Sequence, residues 1–224
     1  MSDHPPGQFG RDDIVIEDIS PRYQGFFSIQ RYQFRHRLFE GGWSGTVVRE
    51  LFERGHAVAV LPYDPVRDEV VMLEQVRVGA MAAGATPWQL EIVAGMIDSE
   101  ESPEQVAHRE AREEAGLLLH QMERVTRYLS SSGGCSEQLD VFVAIVDASE
   151  AEGVHGLESE NEDILVHRLS RPQAYQKVVN GEIENAASII ALQWLELNAV
   201  RLRQSYNCQS YNRHSDKQKH PDNE

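Results

Sequence analysis

The sequence predicts an α/β (α+β) protein on three observations. Short apolar runs bounded by turn residues recur along the chain, for example Ala57-Val58-Ala59-Val60-Leu61 and Ile164 to Leu169, and they read as strands. Longer stretches interleave with them and read as helices, above all Pro103 to Ala115 with its caps and Asn185 to Asn198 with an apolar face. Ahead of both, strand-like runs up to about residue 50 suggest a small antiparallel sheet preceding the main domain.

Taken in order, residues 1 to about 12 are polar, proline-bearing and loose. Ile14-Val15-Ile16 and Phe26 to Phe39 read as strands, the second with partial alternation at Ile29, Tyr32, Phe34 and Leu38. Gly41-Gly42 turns the chain into Thr46 to Phe52. A sheet of three strands that exposes Phe26, Phe27, Phe39 and Trp43 is marginal alone and favours a partner surface over the chain's own core. Ala57 to Leu61 and Glu69 to Gln75 form a pair around Pro62-Tyr63-Asp64-Pro65, with Val76-Arg77-Val78 extending the second strand. A flexible loop of small residues follows from Gly79 to Thr86, and Gln89 to Ala94 is a short strand. Beyond the capped helix come a strand over Arg124 to Leu129, a loop over Ser130 to Cys135 and a buried strand over Leu139 to Val146. An acidic loop, Gly153 to Asp163, precedes the strand Ile164 to Leu169 and the helix Pro172 to Val179. The closing helix carries Ile189, Ile190, Leu192, Trp194 and Leu195, and from about Leu202 the polar residues predict disorder. No internal repeat is present.

Composition narrows the function classes. The 224 residues suit one large domain, or one of ordinary size with an appendage, and 41% hydrophobic content is enough for a core. A net charge of −15 argues against a nucleic-acid partner, since phosphate backbones require a basic footprint. No run of apolar residues is long enough for a transmembrane span, so no membrane partner is expected. Two cysteines, Cys135 and Cys208, make neither a disulfide framework nor a zinc site. With no signal peptide in view, a cytoplasmic location is expected.

The chemistry concentrates in residues 95 to 117. Ser102 and Gln105 form a capping box around Pro103, and Gly116 supplies the stop. Between them Glu110, Glu113 and Glu114 share one helical face, a spacing that destabilises a bare helix by roughly 0.2–0.5 kcal/mol per pair. A divalent cation reverses that sign, because hard ions prefer carboxylate oxygens. Glu101 approaches the same end, and Arg109 can brace a carboxylate bidentately. Glu114 is the best placed to bridge, and Arg109 orients rather than catalyses. The alternative is a solvated acidic face, but the spacing Gly95, Glu101, Arg109-Glu110, Glu113-Glu114, Gly116 resembles the Nudix box throughout.

The chain is thus similar to the Nudix hydrolases, which cleave nucleoside diphosphates linked to another moiety and use Mg²⁺ or Mn²⁺. Segments outside the box, among them Tyr23 to Ser28, Phe34 to Phe39, Glu53 to Ala57, Glu91 to Ile97 and Glu160 to Asp163, resemble the bacterial ADP-ribose pyrophosphatases over residues 14 to 200. That resemblance implies a mixed sheet sandwiched between helices, with an amino-terminal dimerisation sheet over 1–50, a hydrolase domain over 51–202 and a tail over 203–224. It implies hydrolysis of ADP-ribose to AMP and ribose 5-phosphate by a homodimer with exchanged amino-terminal strands. It also implies metal binding by the Ala94 carbonyl, Glu110, Glu113, Glu114 and Glu162. The catalytic set is Glu160 as the loop base with Glu113, Glu114 and Arg109, the arginine as its orienting member. Substrate contacts fall to Phe26 on adenine, to Arg49 and Arg77, and to Met96 and Ser131. Glu162 stands beside Glu160 as an alternative base. Ser132 stands where members specific for ADP-ribose carry proline, which loosens the claim of strict preference. Rival functions are hydrolysis of another nucleoside diphosphate sugar such as GDP-mannose, and a non-catalytic nucleotide sensor.

Overall fold

The computed structural model describes residues 6–97 and 100–219, with the side chains of Glu150, Glu160 and 207–219 outside the description. Asp98 and Ser99 of the box therefore lie outside the described residues, as do residues 1–5. Two compact units divide the chain. The first takes residues 1–56 with 129–138, and the second takes 57–128 with 139–224.

The first unit is a three-stranded antiparallel sheet of β1 (Ile14–Gln24), β2 (Ser28–His36) and β3 (Val47–Glu53). β1 is longer than the Ile14-Val15-Ile16 run suggests. It passes through Pro21 by register shifts between Ile16 and Asp18 and between Pro21 and Tyr23, and shifts of this kind let a strand tolerate a missing donor. The expected strand Phe26–Phe39 shortens to β2, because Phe26 and Phe27 belong to the turn. Phe27 sits edge-on to Phe52 with ring centroids 5.3 Å apart. Residues 129–138 join this unit through Phe52 N–H donating to the Gly134 carbonyl at 2.8 Å and Ser136 Oγ donating to Glu53 at 2.6 Å.

The second unit is built on a mixed sheet. Its strands are β4 (His56–Asp64), β5 (Glu69–Val76), β6 (Trp88–Glu91), β7 (Val93–Ile97), β8 (Gln121–Leu129), β9 (Gln138–Ile145), β10 (Val154–His155) and β11 (Ile164–Ser170), ordered β10-β11-β5-β4-β9-β8 with β6 on β5 and β7 on β4. β4 and β9 run parallel, with Ala57 opposite Leu139 through to Tyr63 opposite Ile145. Strands this apolar, from Ala57 to Tyr63 and from Val141 to Val146, are buried on both faces. One face carries α2 (Pro103–Ala115), whose Val106, Ala107, Ala111 and Ala115 pack with Val58, Val60, Val71 and Leu73. The other face carries Ala174 of α3 (Arg171–Val179) and Ala191, Leu192 and Leu195 of α4 (Ala186–Lys219) against Ala59, Leu61 and Met72.

Three expectations are corrected. The Gly79–Thr86 loop contains α1 (Val78–Ala82), and Arg77 is its N-cap rather than a strand residue. The single strand Gln89–Ala94 breaks at Ile92, whose N–H bonds Ser188 Oγ instead of a neighbouring strand, and β7 carries the box through Gly95 to Ile97 as strand, not loop. The last helix does not stop at Asn198 but runs to Lys219, and no glycine or proline interrupts the sequence before Pro221. No described helix is long and apolar enough to cross a membrane.

Candidate active site

α2 is fixed at both ends as its sequence dictates. Ser102 Oγ accepts from Gln105 N–H at 3.2 Å and Gln105 Oε1 accepts from Ser102 N–H at 2.7 Å, while Gly116 closes the helix at φ +65°. The buried stripe of this helix includes a carboxylate. Glu114 is 4% exposed and faces the same apolar layer as Ala107 and Ala111. One described donor reaches it, the Ala94 N–H at 3.1 Å from Oε2. In an extended strand the N–H and C=O of one residue point to the same side, so the Ala94 carbonyl also faces Glu114. Burial pushes the Glu114 carboxyl up to about 8; repulsion from Glu110 and Glu162 adds to this, against the Ala94 N–H and the Arg77 charge. Glu110 is raised too, first by burial and then by Glu113 and Glu162, although Arg109 draws it down.

Gly95 explains how strand and helix come so close. A Cβ at that position would lie 2.0 Å from Glu110 Oε1 and 2.4 Å from its Cδ. Glycine at 95 leaves room for Glu110 in this rotamer, and any side chain there would make the Glu110 carboxylate swing away.

Arg109 is the hub of the remaining acids. Its Nε and Nη2 donate to Glu101 at 3.3 and 3.2 Å, and its Nη1 donates to Glu110 at 2.9 Å and Glu113 at 3.1 Å. Glu113 therefore turns to Arg109, and among the described residues no three acidic, histidine or cysteine side chains already form an ion cage. The donor set nevertheless fits a hard divalent cation. Two carboxylates that burial makes costly to ionise, a facing carbonyl and a strand shaped to admit Glu110 supply the oxygens such an ion prefers.

The acidic loop closes on itself beside these groups. Glu162 Oε2 accepts from Leu157 N–H at 3.1 Å, and Gly156, at φ +107°, passes so close that a Cβ there would meet Glu162 Cβ at 2.7 Å. Glu160 ends a single 3₁₀ turn, and its side chain lies outside the described residues. Arg77 donates from Nε to Glu91 at 2.7 Å. That pair borders a cavity of about 360 Å³ shared with Gln89 and Glu184. A larger cavity of about 650 Å³, lined by the Glu74–His167 pair, Trp88 and Lys177, contains no box residue. Met96 is half-buried in β7.

Phe26, Arg49 and Ser131 all belong to the first unit. Phe26 is 88% exposed with its ring edge-on to Phe27, Arg49 is exposed on β3, and Ser131 is exposed with its carbonyl accepting from Gly134 and Cys135 N–H. The sequence did not single out Gln89 and Glu91, which line the smaller cavity with Arg77 and lie opposite Gln75 and Leu73 respectively.

Comparison with known proteins matches the NUDIX domain over residues 53–209. The chain is 54% identical over 204 residues to the ADP-ribose pyrophosphatase of Escherichia coli K12, covering 91% of this chain and 98% of that one. It is 46% identical over 201 residues to the ADP-ribose pyrophosphatase of Haemophilus influenzae, covering 88% and 93%. The GDP-mannose pyrophosphatase of Cronobacter sakazakii is 35% identical over 154 residues, covering 68% and 79%. A solved structure of an ADP compounds hydrolase superposes with a TM-score of 0.67 at 19% identity, covering 85% of this chain and 97% of that one.

Proposed function

This chain belongs to the NUDIX family, and from that premise we propose that it hydrolyses the diphosphate bond of ADP-ribose to AMP and ribose 5-phosphate with a divalent cation. The observation that carries the reading is Glu114, a carboxylate sealed against the core, under-paired, and set beside Gly95 and Glu110. A bound Mg²⁺, or Mn²⁺ in its place, would supply positive charge to the diphosphate oxygens and make a water nucleophilic. The Ala94 carbonyl, Glu110, Glu114, Glu113 and Glu162 would hold it. Arg109 keeps Glu110 and Glu113 in place through the bonds it already makes. Glu160 accepts the proton of the attacking water, and a short acidic loop suits a base that must approach after substrate binds. Arg77 and Arg49 contact the nucleotide and its phosphates, Phe26 stacks on adenine, and Met96 and Ser131 complete the substrate contacts. Phe26, Arg49 and Ser131 act in a homodimer with exchanged amino-terminal strands. The half-exposed Ile14, Ile16 and Ile19 of β1 support a partner for that sheet. A reducing cytoplasm is part of the same reading.

Turnover of ADP-ribose, ADP-glucose and GDP-mannose with Mg²⁺, read by chromatography of the products, tests the substrate. AMP and ribose 5-phosphate from ADP-ribose at the highest kcat/KM are expected. Faster turnover of GDP-mannose would favour the second reading, which Ser132 and the likeness to a GDP-mannose pyrophosphatase support. In Glu160→Gln, kcat should fall by about 10²–10⁴-fold with substrate affinity retained. A loss confined to binding would move the base elsewhere.

A further inference from the structure

We propose that Gln75 is a substrate-binding residue whose side-chain amide donates to a non-bridging phosphoryl oxygen of the bound diphosphate, next to Arg77. The inference rests on the diphosphate reading above and deepens it. Gln75 lies in β5 and is 7% exposed, yet its Nε2 finds no hydrogen-bond partner among the described residues. Buried amides are nearly always satisfied, because an unmade bond leaves the desolvation of the group uncompensated. An orphan at this position therefore points to a ligand.

Its surroundings say which ligand. Strand alternation puts Val71, Leu73 and Gln75 on one face of β5, and Val71 and Leu73 pack with Val106, Ala107 and Ala111 of the acidic helix. Across the ladder Leu73 pairs with Glu91 and Gln75 with Gln89. Two residues on, Arg77 bonds Glu91 at 2.7 Å, and Arg77 and Glu91 border the 360 Å³ cavity together with Gln89. On the other side of β5 lies β11, in register from Leu165 opposite Glu74, and its first residue, Ile164, follows Glu162 and Asp163 of the acidic loop. Gln75 thus sits between Arg77 and the foot of that loop. Gln75 Nε2 reaches neither nearby carboxylate: Glu91 takes the Arg77 guanidinium, and the one described donor to Glu114 is the Ala94 N–H. A diphosphate brings several anionic oxygens, and a neutral amide can hold one without adding charge to a crowded site. Hydrogen bonds to such oxygens are about twice as strong as neutral ones.

The decisive variant is Gln75→Met, which keeps the volume and removes the donor. With no partner stranded by the change, the melting temperature should stay level or rise. KM for ADP-ribose should rise about tenfold or more with kcat nearly unchanged, since the bond serves ground and transition states alike. Calorimetry with the non-hydrolysable α,β-methylene analogue of ADP-ribose should show the same loss of affinity. Gln75→Glu, which replaces the donor with an acceptor, should weaken the analogue further. Unchanged KM and analogue affinity in Gln75→Met would overturn the assignment in favour of a buried water. A fall in kcat alone would overturn it in favour of a bond to the loop carboxylates. Absence of ADP-ribose turnover in the unaltered protein would instead sink the diphosphate reading, while analogue binding still reports on Gln75.

Discussion

Asp64 and Glu114 are both carboxylates buried in the second unit, 1% and 4% exposed, and they are treated in opposite ways. Asp64 accepts four bonds, from Val66 and Arg67 N–H at 2.8 and 3.0 Å, from Arg67 Nη1 at 2.9 Å and from Ala148 N–H at 3.0 Å. It ties the turn after β4 to the segment after β9 and has its lone pairs met, the condition under which a buried charge is tolerated. Glu114 has the Ala94 N–H as its one described donor, and burial pushes its carboxyl up to about 8. The first pattern belongs to architecture. The second leaves a site whose electrostatic need is met from outside the chain.

That contrast can be broken by substitution. Glu114→Gln should lower kcat on the order of 10³-fold, the scale of losing a group that organises transition-state charge. Its melting temperature should hold or rise, since the costly carboxyl is gone. Asp64→Ala should do the reverse, with about 3 kcal/mol lost in urea unfolding as buried N–H groups are stranded, and kcat per folded molecule kept within about twofold. A destabilised Glu114→Gln, or an inactive but stable Asp64→Ala, would erase the distinction. Gly95→Ala forces a methyl into Glu110, and the Mg²⁺ concentration for half-activation should rise by about 10- to 100-fold. An unshifted metal titration would separate Gly95 from the ion site.

The smallest effect sharpens the structural side. Burial raises the Asp68 carboxyl, but bonds from Arg171 at 3.0 and 3.1 Å and from Tyr63 at 2.7 Å outweigh it and hold it below the usual range. A folded value lowered in this way stabilises the protein above the unfolded carboxyl value of about 3.9 and is lost as pH falls through the folded value. Asp68→Asn should therefore flatten the acid limb of stability below about pH 4, measured by urea unfolding at stepped pH. An identical limb in both proteins would remove Asp68 from the account.

The parts of this molecule that could be read from sequence are the local ones. Ser102, Pro103, Gln105 and Gly116 act within a few residues of themselves, and the caps of α2 form as their chemistry requires. The spacing of Glu110, Glu113 and Glu114 likewise fixes which helical face they share. What needed the fold is everything set by distant pairing. Periodicity does not reveal that Glu113 turns to Arg109, that Ile92 bonds Ser188 and splits a strand, or that Glu162 is tied to Leu157. Residues 129–138 join the amino-terminal sheet through Gly134 and Ser136, partners roughly eighty positions away. Gln75 looks in sequence like any polar residue near a strand end, and its orphaned donor exists only once β6 and β11 flank it.

The most direct measurement is anomalous diffraction from crystals soaked in Mn²⁺. The account predicts a manganese peak bounded by Glu110, Glu114 and the Ala94 carbonyl, absent from Glu114→Gln crystals soaked alongside. Manganese bound elsewhere with those three groups bare, in a protein that still hydrolyses ADP-ribose, would contradict it.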